Sequence, residues 1–328
     1  MPKPIILDTD PGIGTPGSDV DDGLAIALGL RHRDCNLLGL TIVAGNVVQE
    51  DGVLNALRLL EIAGRSEVPV VQGASRPLLR DPAPIRERLD GRRRQAVERF
   101  WDIDHFPAPK GQPARGRAAE FIADTVRARP GEVTVVAIGP CTNVAAALLL
   151  DPAVAKSVAE IVVMGGAIRV PALVTPEVEF NIGYDPEAAA VVFSSGAPVA
   201  LVPLDVTTRT SMTPADLDRI GAGGTPFHDF LMKTSRPWLR FAMEVRNLPG
   251  FWLHDPLALA YALDPVILKL TPMHVTVVLQ GELTAGQLIG YCESARFLVP
   301  VPGPMNVRVA LDLDERRFMD LFLGTLAR

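Results

Sequence analysis

The chain has 328 residues, of which 48% are hydrophobic and 21% are charged, and its formal net charge is −6 at pH 7. This composition is ordinary for a folded enzyme, and the negative charge argues against a nucleic-acid-binding protein. The three cysteines, Cys35, Cys141 and Cys292, stand far apart in the sequence, which predicts neither a disulfide framework nor a zinc site. We therefore expect a cytoplasmic protein, with no signal peptide ahead of the first strand and no membrane-spanning segment.

Apolar strand patterns and helical patterns alternate through the first half of the chain. Strands are predicted at 5–7, 37–43, 68–71, 133–138 and 161–164. Helices are predicted from Gly23 onward and at 51–63, 118–128 and 143–150. The segment from Arg76 to Arg115 is too long for an ordinary connection, so we expect a functional lid or a short helical insertion there.

The second half is more mixed and adds helices and strands toward the C-terminus. Helices are predicted from Asp185 and Asp255 onward and at 214–220, 227–245 and 314–326, and strands at 199–202, 274–279, 287–291 and 307–311. The whole pattern predicts an α/β fold with a mostly parallel, open, Rossmann-like sheet flanked by helices. No linker divides the chain, so we expect a single domain over 1–328.

Four carboxylates surround the turn between the first strand and the first helix. Asp8 and Asp10 follow the apolar run 5–7, and Asp21 and Asp22 stand where the helix begins. Acidic residues often cap a helix or decorate a turn, but four packed carboxylates repel one another unless a cation lies among them. Oxygen ligands without nearby His or Cys favour a hard cation such as calcium or magnesium.

Further polar residues stand where other predicted strands give way to loops. They are Asn46, Thr142, Asn143, Glu179 and Asn181, and His254 and Asp255 begin a later helix. The carboxyl ends of strands in an open α/β sheet are where ligands bind, so we expect these side chains to share an edge. Taken singly, Asn46 and Asn143 also fit turn or capping roles, and Asp255 fits an N-cap.

Taken together and in this order, the sequence motifs of residues 5 to about 261 resemble those of the inosine-uridine-preferring nucleoside hydrolases. The matching motifs are Asp8-Thr9-Asp10-Pro11-Gly12, Asp21-Asp22-Gly23-Leu24-Ala25-Ile26, Gly45-Asn46, Thr142-Asn143, Val163-Met164-Gly165-Gly166, Glu179-Phe180-Asn181, Asp185-Pro186-Glu187-Ala188 and His254-Asp255-Pro256. The resemblance implies a hydrolase that splits a ribonucleoside into ribose and free nucleobase. It also implies a homodimer or homotetramer.

The resemblance further implies a calcium ion. The side chains of Asp10, Asp22 and Asp255 and the backbone carbonyl of Ile138 would be its protein ligands. Waters and ribose hydroxyls would take the remaining positions, and Asp255 would also bind the substrate. Asp8 would support the metal loop from behind.

The same resemblance implies roles in substrate binding and catalysis. Asp21 would be the general base toward a metal-bound water, and His254 would donate a proton or a hydrogen bond to the leaving base. The residues that would hold the sugar are Asn46, Glu179 and Asn181, with Met164 packed near the ribose.

The chain departs from the family pattern at three places. Residues 14–20 are inserted before the acidic pair, and their glycines predict a surface loop in which Asp19 could imitate one of that pair. This loop could narrow the mouth of the pocket or reach a neighbouring subunit. Region 76–115 lacks the His-Gly pair of many members, and 171–174 lacks an Asn that helps to bind the sugar's 5′ end.

The Arg-rich stretch 86–99 predicts a solvated helix or loop rather than a phosphate-binding site. Trp238, Phe241 and Trp252 could stack on a base, but each taken alone fits core packing better.

Two other functions fit parts of the sequence. A non-catalytic nucleoside- or sugar-binding protein would explain the stretched first loop and the missing His-Gly pair. A phosphatase with Asp8 as nucleophile and Asp10 as acid/base would explain two Asp residues after an apolar strand, but lysines are scarce and no late Gly-Asp motif appears.

Overall fold

The computed structural model describes residues 2–101, 106–293 and 300–328. Its strands are β1 (Lys3–Thr9), β2 (Cys35–Ile42), β3 (Val70–Gln72), β4 (Thr134–Ala137), β5 (Glu160–Met164), β6 (Val199–Val202), β7 (Ser211–Met212), β8 (Phe251–Trp252), β9 (Leu268–Val277), β10 (Leu288–Tyr291) and β11 (Val307–Leu313). Its helices are α1 (Asp21–Arg31), α2 (Gln49–Ile62), α3 (Ala83–Phe100), α4 (Ala118–Ala128), α5 (Thr142–Leu150), α6 (Val154–Ser157), α7 (Phe180–Tyr184), α8 (Pro186–Ser194), α9 (Leu204–Thr207), α10 (Pro214–Gly221), α11 (Pro226–Glu244), α12 (His254–Leu263) and α13 (Glu315–Leu326).

Nine of these strands form one sheet, in the order β10-β9-β11-β6-β5-β4-β1-β2-β3. The pairs from β6 to β3 are parallel, β11 runs parallel to β6, and β9 and β10 extend the edge in antiparallel fashion. The predicted α/β class with a mostly parallel sheet is confirmed. The single domain over 1–328 stays a prediction.

The central strand β1 is buried on both faces, as its continuous apolar run predicts. Successive side chains of a strand point to opposite faces, so Ile5 and Leu7 join one hydrophobic cluster and Ile6 joins the other. Both clusters contain helical residues, which cover the two faces of the sheet. The carboxyl end of β1 therefore opens at a fixed point between two packed layers.

The segment between β3 and α4 contains more than the expected lid or short helical insertion. Its helix α3 has 18 residues. The backbone N–H of Leu78, before α3, donates to Asp185 Oδ2 at 2.8 Å, and the N–H of Ala114, after it, donates to the Val70 carbonyl at 2.8 Å. The segment thus leaves and rejoins the body of the protein at two hydrogen-bonded anchors.

Several short elements were not predicted, namely α6, α7, α9 and the two-stranded ribbon of β7 and β8. Each has five residues or fewer, which is too short to show a helical or strand period in the sequence. In the part of the chain that the structure describes, no helix has the length and apolarity needed to cross a membrane.

Candidate active site

Four aspartates form the floor of the site, and three elements bring them together. Asp10 follows β1, Asp21 and Asp22 begin α1, and Asp255 lies in the first turn of α12. None of the four is more than 3% exposed. We call this set, Asp10, Asp21, Asp22 and Asp255, the floor.

Hydrogen bonds fix the floor to the loop after β2. Asp22 Oδ1 accepts from Thr9 Oγ1 at 2.5 Å and from the N–H of Asp10 at 3.1 Å, while its Oδ2 accepts from the Asn46 amide at 2.9 Å. The N–H of Asn46 also donates to Asp10 Oδ2 at 2.5 Å. Gly45 permits this approach, because a Cβ there would lie 2.0 Å from the same carboxylate oxygen.

Burial raises the pKa of every floor carboxyl, and repulsion by neighbouring carboxylates adds to it at Asp10, Asp21 and Asp255. Burial is the main cause for all four. Repulsion by Asp22 adds to it at Asp10, and repulsion by Asp21 and Asp22 adds to it at Asp255. Such a site disfavours four negative charges unless a positive charge is placed among them.

The donor set fits a hard divalent cation. Carboxylate oxygens of Asp21, Asp22 and Asp255 lie within 4.8 Å of one another. Asp10 Oδ1 is buried and has no hydrogen-bond partner within the described residues, as expected of an atom that another ligand would satisfy. Asp10 lies outside the group of three, which contains Asp21 instead, so the sequence did not foresee which acids lie closest.

Asp8 lies beneath the floor and binds a side chain of β2 and one at the start of α5. Its Oδ1 accepts from Thr41 Oγ1 at 2.6 Å and from the Asn143 amide at 2.8 Å. Burial raises its pKa to about 7, despite these two hydrogen bonds. Asp8 is fully buried and does not line the cavity, which argues against the phosphatase interpretation, since a nucleophile must reach its substrate.

The predicted sugar-binding residues come together on the loop after β5. Asn181 Nδ2 donates to the carbonyl of Ile138 at 2.8 Å and lies 3.4 Å from Met164 Sδ. The carboxylate of Glu179 accepts from three backbone N–H groups, those of Gly166, Asn181 and Ile182, and so caps α7. Glu179, Asn181 and Met164 line the same cavity as Asn46, the fourth predicted residue.

His254 also lines the cavity, beside Asp255. Its Nδ1 lies 2.7 Å from Thr207 Oγ1. Burial, with a further contribution from the charge of Arg246, lowers the pKa of the imidazole to about 3. The ring is therefore neutral at neutral pH, so it is better suited to donating a hydrogen bond than to acting as a general acid.

The floor opens into a cavity of about 210 Å³, whose outer rim we call the mouth. Three segments form the mouth: the insertion, helix α3 and the end of helix α11. Its residues are Gly17, Ser18, Asp19, Leu89, Arg93, Ala96, Trp238, Phe241 and Arg246. The sequence identified only part of this rim.

The insertion borders the cavity, which is one of the two placements expected for it, but it is not a surface loop. Gly17 and Ser18 are buried, and Asn55 holds the segment by donating to the Pro11 carbonyl at 2.9 Å and to Thr15 Oγ1 at 2.8 Å. Asp19 does not replace either member of the acidic pair, but its carboxyl group lies close enough to hydrogen-bond that of Asp21. The inserted residues therefore fold inward and narrow the cavity.

The Arg-rich stretch is likewise not simply a solvated face. Arg86 donates to the carbonyls of Gly45 at 2.8 Å and Asn46 at 3.1 Å, which links α3 to the floor. Trp238 and Phe241, expected in the core, pack together with ring centroids 5.2 Å apart and also line the cavity.

Comparisons with known proteins agree with this geometry. A family model described as inosine-uridine preferring nucleoside hydrolase matches residues 5–320. A protein of Arabidopsis thaliana named probable uridine nucleosidase 2 is 36% identical over 299 residues, which are 90% of this chain and 88% of that protein. The pyrimidine-specific ribonucleoside hydrolase RihA of Citrobacter koseri is 34% identical over 328 residues, covering 100% of this chain and 99% of its own.

A solved structure extends the likeness to three dimensions. The purine-preferring ribonucleoside hydrolase from Gardnerella vaginalis superposes with a TM-score of 0.84 at 32% identity, covering 99% of this chain and 98% of that one. The family model matches almost the whole sequence, and these relatives share at least 30% of their residues with the chain, so together they identify its family. The chain is a member of the inosine-uridine preferring nucleoside hydrolase family and a hydrolase that acts on N-glycosyl compounds.

Proposed function

We propose that this protein hydrolyses the N-glycosidic bond of ribonucleosides at the floor, with calcium as its ion. The buried, mutually repelling carboxylates of the floor carry the proposal, because their arrangement suits a hard divalent cation. Asp10, Asp22, Asp255 and the carbonyl of Ile138 would hold that ion. When bound, it supplies Lewis acidity that favours loss of a proton from water and gives ribose hydroxyls a place to bind.

Asp21 takes the proton of the attacking water in this proposal. It lies at the start of α1, is 3% exposed, and its Oδ2 is 3.5 Å from the N–H of Asp255. A carboxylate held at the cavity wall can accept a proton without reorganisation of the surrounding protein.

The remaining predicted residues bind and orient the substrate. Asn46, Asn181 and Glu179 offer amide and carboxylate groups to sugar hydroxyls, and Met164 packs against the ribose. His254, neutral and held by Thr207, gives a hydrogen bond to the departing base. The sugar thus lies deep, against the floor, and the base lies toward the mouth.

A panel of ribonucleosides, assayed for release of reducing sugar, tests this function. The purified protein is dialysed against chelator and assayed before and after addition of calcium, magnesium or zinc. We expect hydrolysis that falls on chelation and returns best with calcium. A nucleoside that binds in calorimetry but is never cleaved, under any metal, would favour a binding protein instead.

We also propose that the chain works in the cytoplasm as a homodimer or homotetramer, which the resemblance to the family supports. Light scattering of the purified protein measures the number of subunits. A monomeric mass at working concentration would contradict the oligomer.

A further inference from the structure

Arg246 occupies a defined place at the mouth although it is exposed. It follows the end of α11, and its guanidinium carbon lies 5.0 Å from the ring centroid of Trp238 and 5.3 Å from that of Phe241. The next residue, Asn247, has a left-handed backbone with φ of 53° and so turns the chain sharply there. The aromatic rings and this turn hold the cation over the cavity.

Arg246 makes no close ion pair with a described residue, although its charge acts on the Asp19 carboxyl in the same cavity. Among the described residues, no carboxylate lies within ion-pair distance of its guanidinium. Other arginines nearby are committed, since Arg93 pairs with Asp90 at 3.4 Å, and Arg240 pairs with Glu244 at 3.3 Å. Arg246 therefore presents a cation to the same cavity whose floor is made of carboxylates.

This charge reaches both sides of the cavity. Burial raises the pKa of Asp19, and the charge of Arg246 opposes that rise. At His254, burial lowers the pKa, and the charge of Arg246 lowers it further. Asp19 belongs to the insertion, and His254 begins α12, next to the floor. The guanidinium thus stands where a base that projects from a sugar on the floor would pass.

Breaking a glycosidic bond separates charge along the direction from floor to mouth. The electron pair of the C1′–N bond leaves with the base, which becomes negative, while the sugar becomes an oxocarbenium-like cation. Water adds its hydroxyl to C1′, its proton passes to Asp21, and the departing base takes a proton from solvent. The floor is complementary to the positive sugar, and a cation at the mouth is complementary to the negative base.

We propose that Arg246 is a leaving-group-binding residue, which stabilises the negative charge on the departing nucleobase. This inference rests on the proposed function, because it takes the sugar to lie on the floor. A bound base would cover the guanidinium and remove water from it, which strengthens the interaction between the two charges.

The test varies the leaving group as well as the residue. Arg246→Gln and Arg246→Lys are compared with the wild type on uridine, on 5-fluorouridine, whose base leaves more easily, and on 4-nitrophenyl riboside, whose nitrophenolate leaves without help. We expect Arg246→Gln to lower kcat/KM on uridine about tenfold to a hundredfold, the range for one charged hydrogen bond. The loss should be smaller on 5-fluorouridine and close to none on the nitrophenyl substrate, and Arg246→Lys should recover part of it.

Arg240→Gln is the matched control. Arg240 lies on α11, the helix that Arg246 follows, is exposed, and contacts an aromatic ring, that of Phe100, at 5.6 Å, yet it does not line the cavity. It should leave all three substrates unchanged. Melting temperatures of the variants show that each is folded.

Two results would overturn the inference while the proposed function stands. One is an equal loss on all three substrates in Arg246→Gln, which indicates a structural role, and the other is no loss on uridine. A wild-type protein, loaded with calcium, that cleaves none of the three would instead refute the proposed function, and the inference with it.

Discussion

The floor of the cavity consists of carboxylates fixed at the ends of sheet and helix elements, whereas the mouth consists of side chains from three separate segments. Floor residues are buried, and hydrogen bonds join them to β1 and to the loop after β2. Mouth residues pack on one another through aromatic rings and cations, and Arg246 among them is exposed. The difference suggests that the floor provides the chemistry common to the family and that the mouth adapts it to one substrate.

The largest effect is expected from a substitution in the floor alone, which tests whether the floor carries the chemistry. Asp21→Asn should lower kcat about 10²–10⁴-fold, the usual contribution of a general base. Its melting temperature without metal should stay equal or rise, because one of several mutually repelling carboxylates is gone. Steady-state kinetics and thermal unfolding check both parts.

Asp124→Asn is the control for this substitution, since Asp124 is exposed on α4. Full activity in Asp21→Asn would contradict the role of Asp21 and, with it, the view that the floor carries the chemistry.

Because Asp8 is buried beneath the floor, we expect the stability of the metal-free protein to depend on pH. Burial raises the pKa of Asp8 from 3.8 to about 7, so the folded state holds a proton that the unfolded state releases at lower pH. The stabilisation is complete below about pH 4 and is lost as the pH rises through about 7, by roughly 4 kcal/mol at most. Asp8→Asn should flatten that slope in denaturant unfolding between pH 5 and pH 8.

Asparagine at position 8 keeps an oxygen that can accept from Thr41 and Asn143 but has no ionisable proton. Parallel slopes for the wild type and the variant would show that Asp8 does not hold its proton in the folded protein.

The link between the two regions is tested at Arg86. Arg86→Gln should raise KM about tenfold or more, because the carbonyls of Gly45 and Asn46 lose a charged donor and the Asn46 amide is freed to move. The smaller change should be in kcat, since no floor carboxylate is altered. Arg94→Gln, on an exposed position of α3, is the matched control. A loss confined to kcat would contradict this assignment.

The smallest effect is expected at the packing of the insertion on α3. Gly17 has φ of 77°, and a Cβ there would lie 2.9 Å from the Arg93 carbonyl oxygen and 2.9 Å from Val97 Cγ2. Gly64 has a similar φ of 69° but nothing within 4 Å of its Cβ. Gly64→Ala should lose about 1–2 kcal/mol of unfolding free energy, and Gly17→Ala about 1 kcal/mol more, with a higher KM.

Equal losses in the two variants, measured by denaturant unfolding, would show that the insertion does not pack firmly against α3. The residues of the mouth would then be less firmly packed than those of the floor.

The floor could be predicted because its signals are local. Apolar runs mark the strands, and acids follow β1 and begin α1, so parallel strands that end at one edge bring them together. What the sequence could not say is which three acids lie closest. Local spacing cannot decide this, because Asp255 reaches Asp21 and Asp22 from an element more than 200 residues away.

The mouth could not be predicted, for physical reasons that differ between its parts. Helix α3 lacks an apolar stripe, and its position depends on the long-range hydrogen bonds of Arg86 to carbonyls 40 and 41 residues earlier. Trp238 and Phe241 fit both core packing and stacking on a base, and the sequence could not decide between the two roles, whereas in the structure the rings pack together and border the cavity. Arg246 lies just beyond the end of α11, where the helical period of the sequence no longer predicts the direction of a side chain.

The two anchors of the segment that carries α3 make it exchangeable. Because Leu78 is held by Asp185 and Ala114 by Val70, the residues between them begin and end at fixed points of the scaffold. Loop-closure entropy changes slowly with length, so a graft of different length between these points should leave the sheet intact. Such a graft would be a cassette for changing substrate preference, provided that it brings a cation to the position of Arg86.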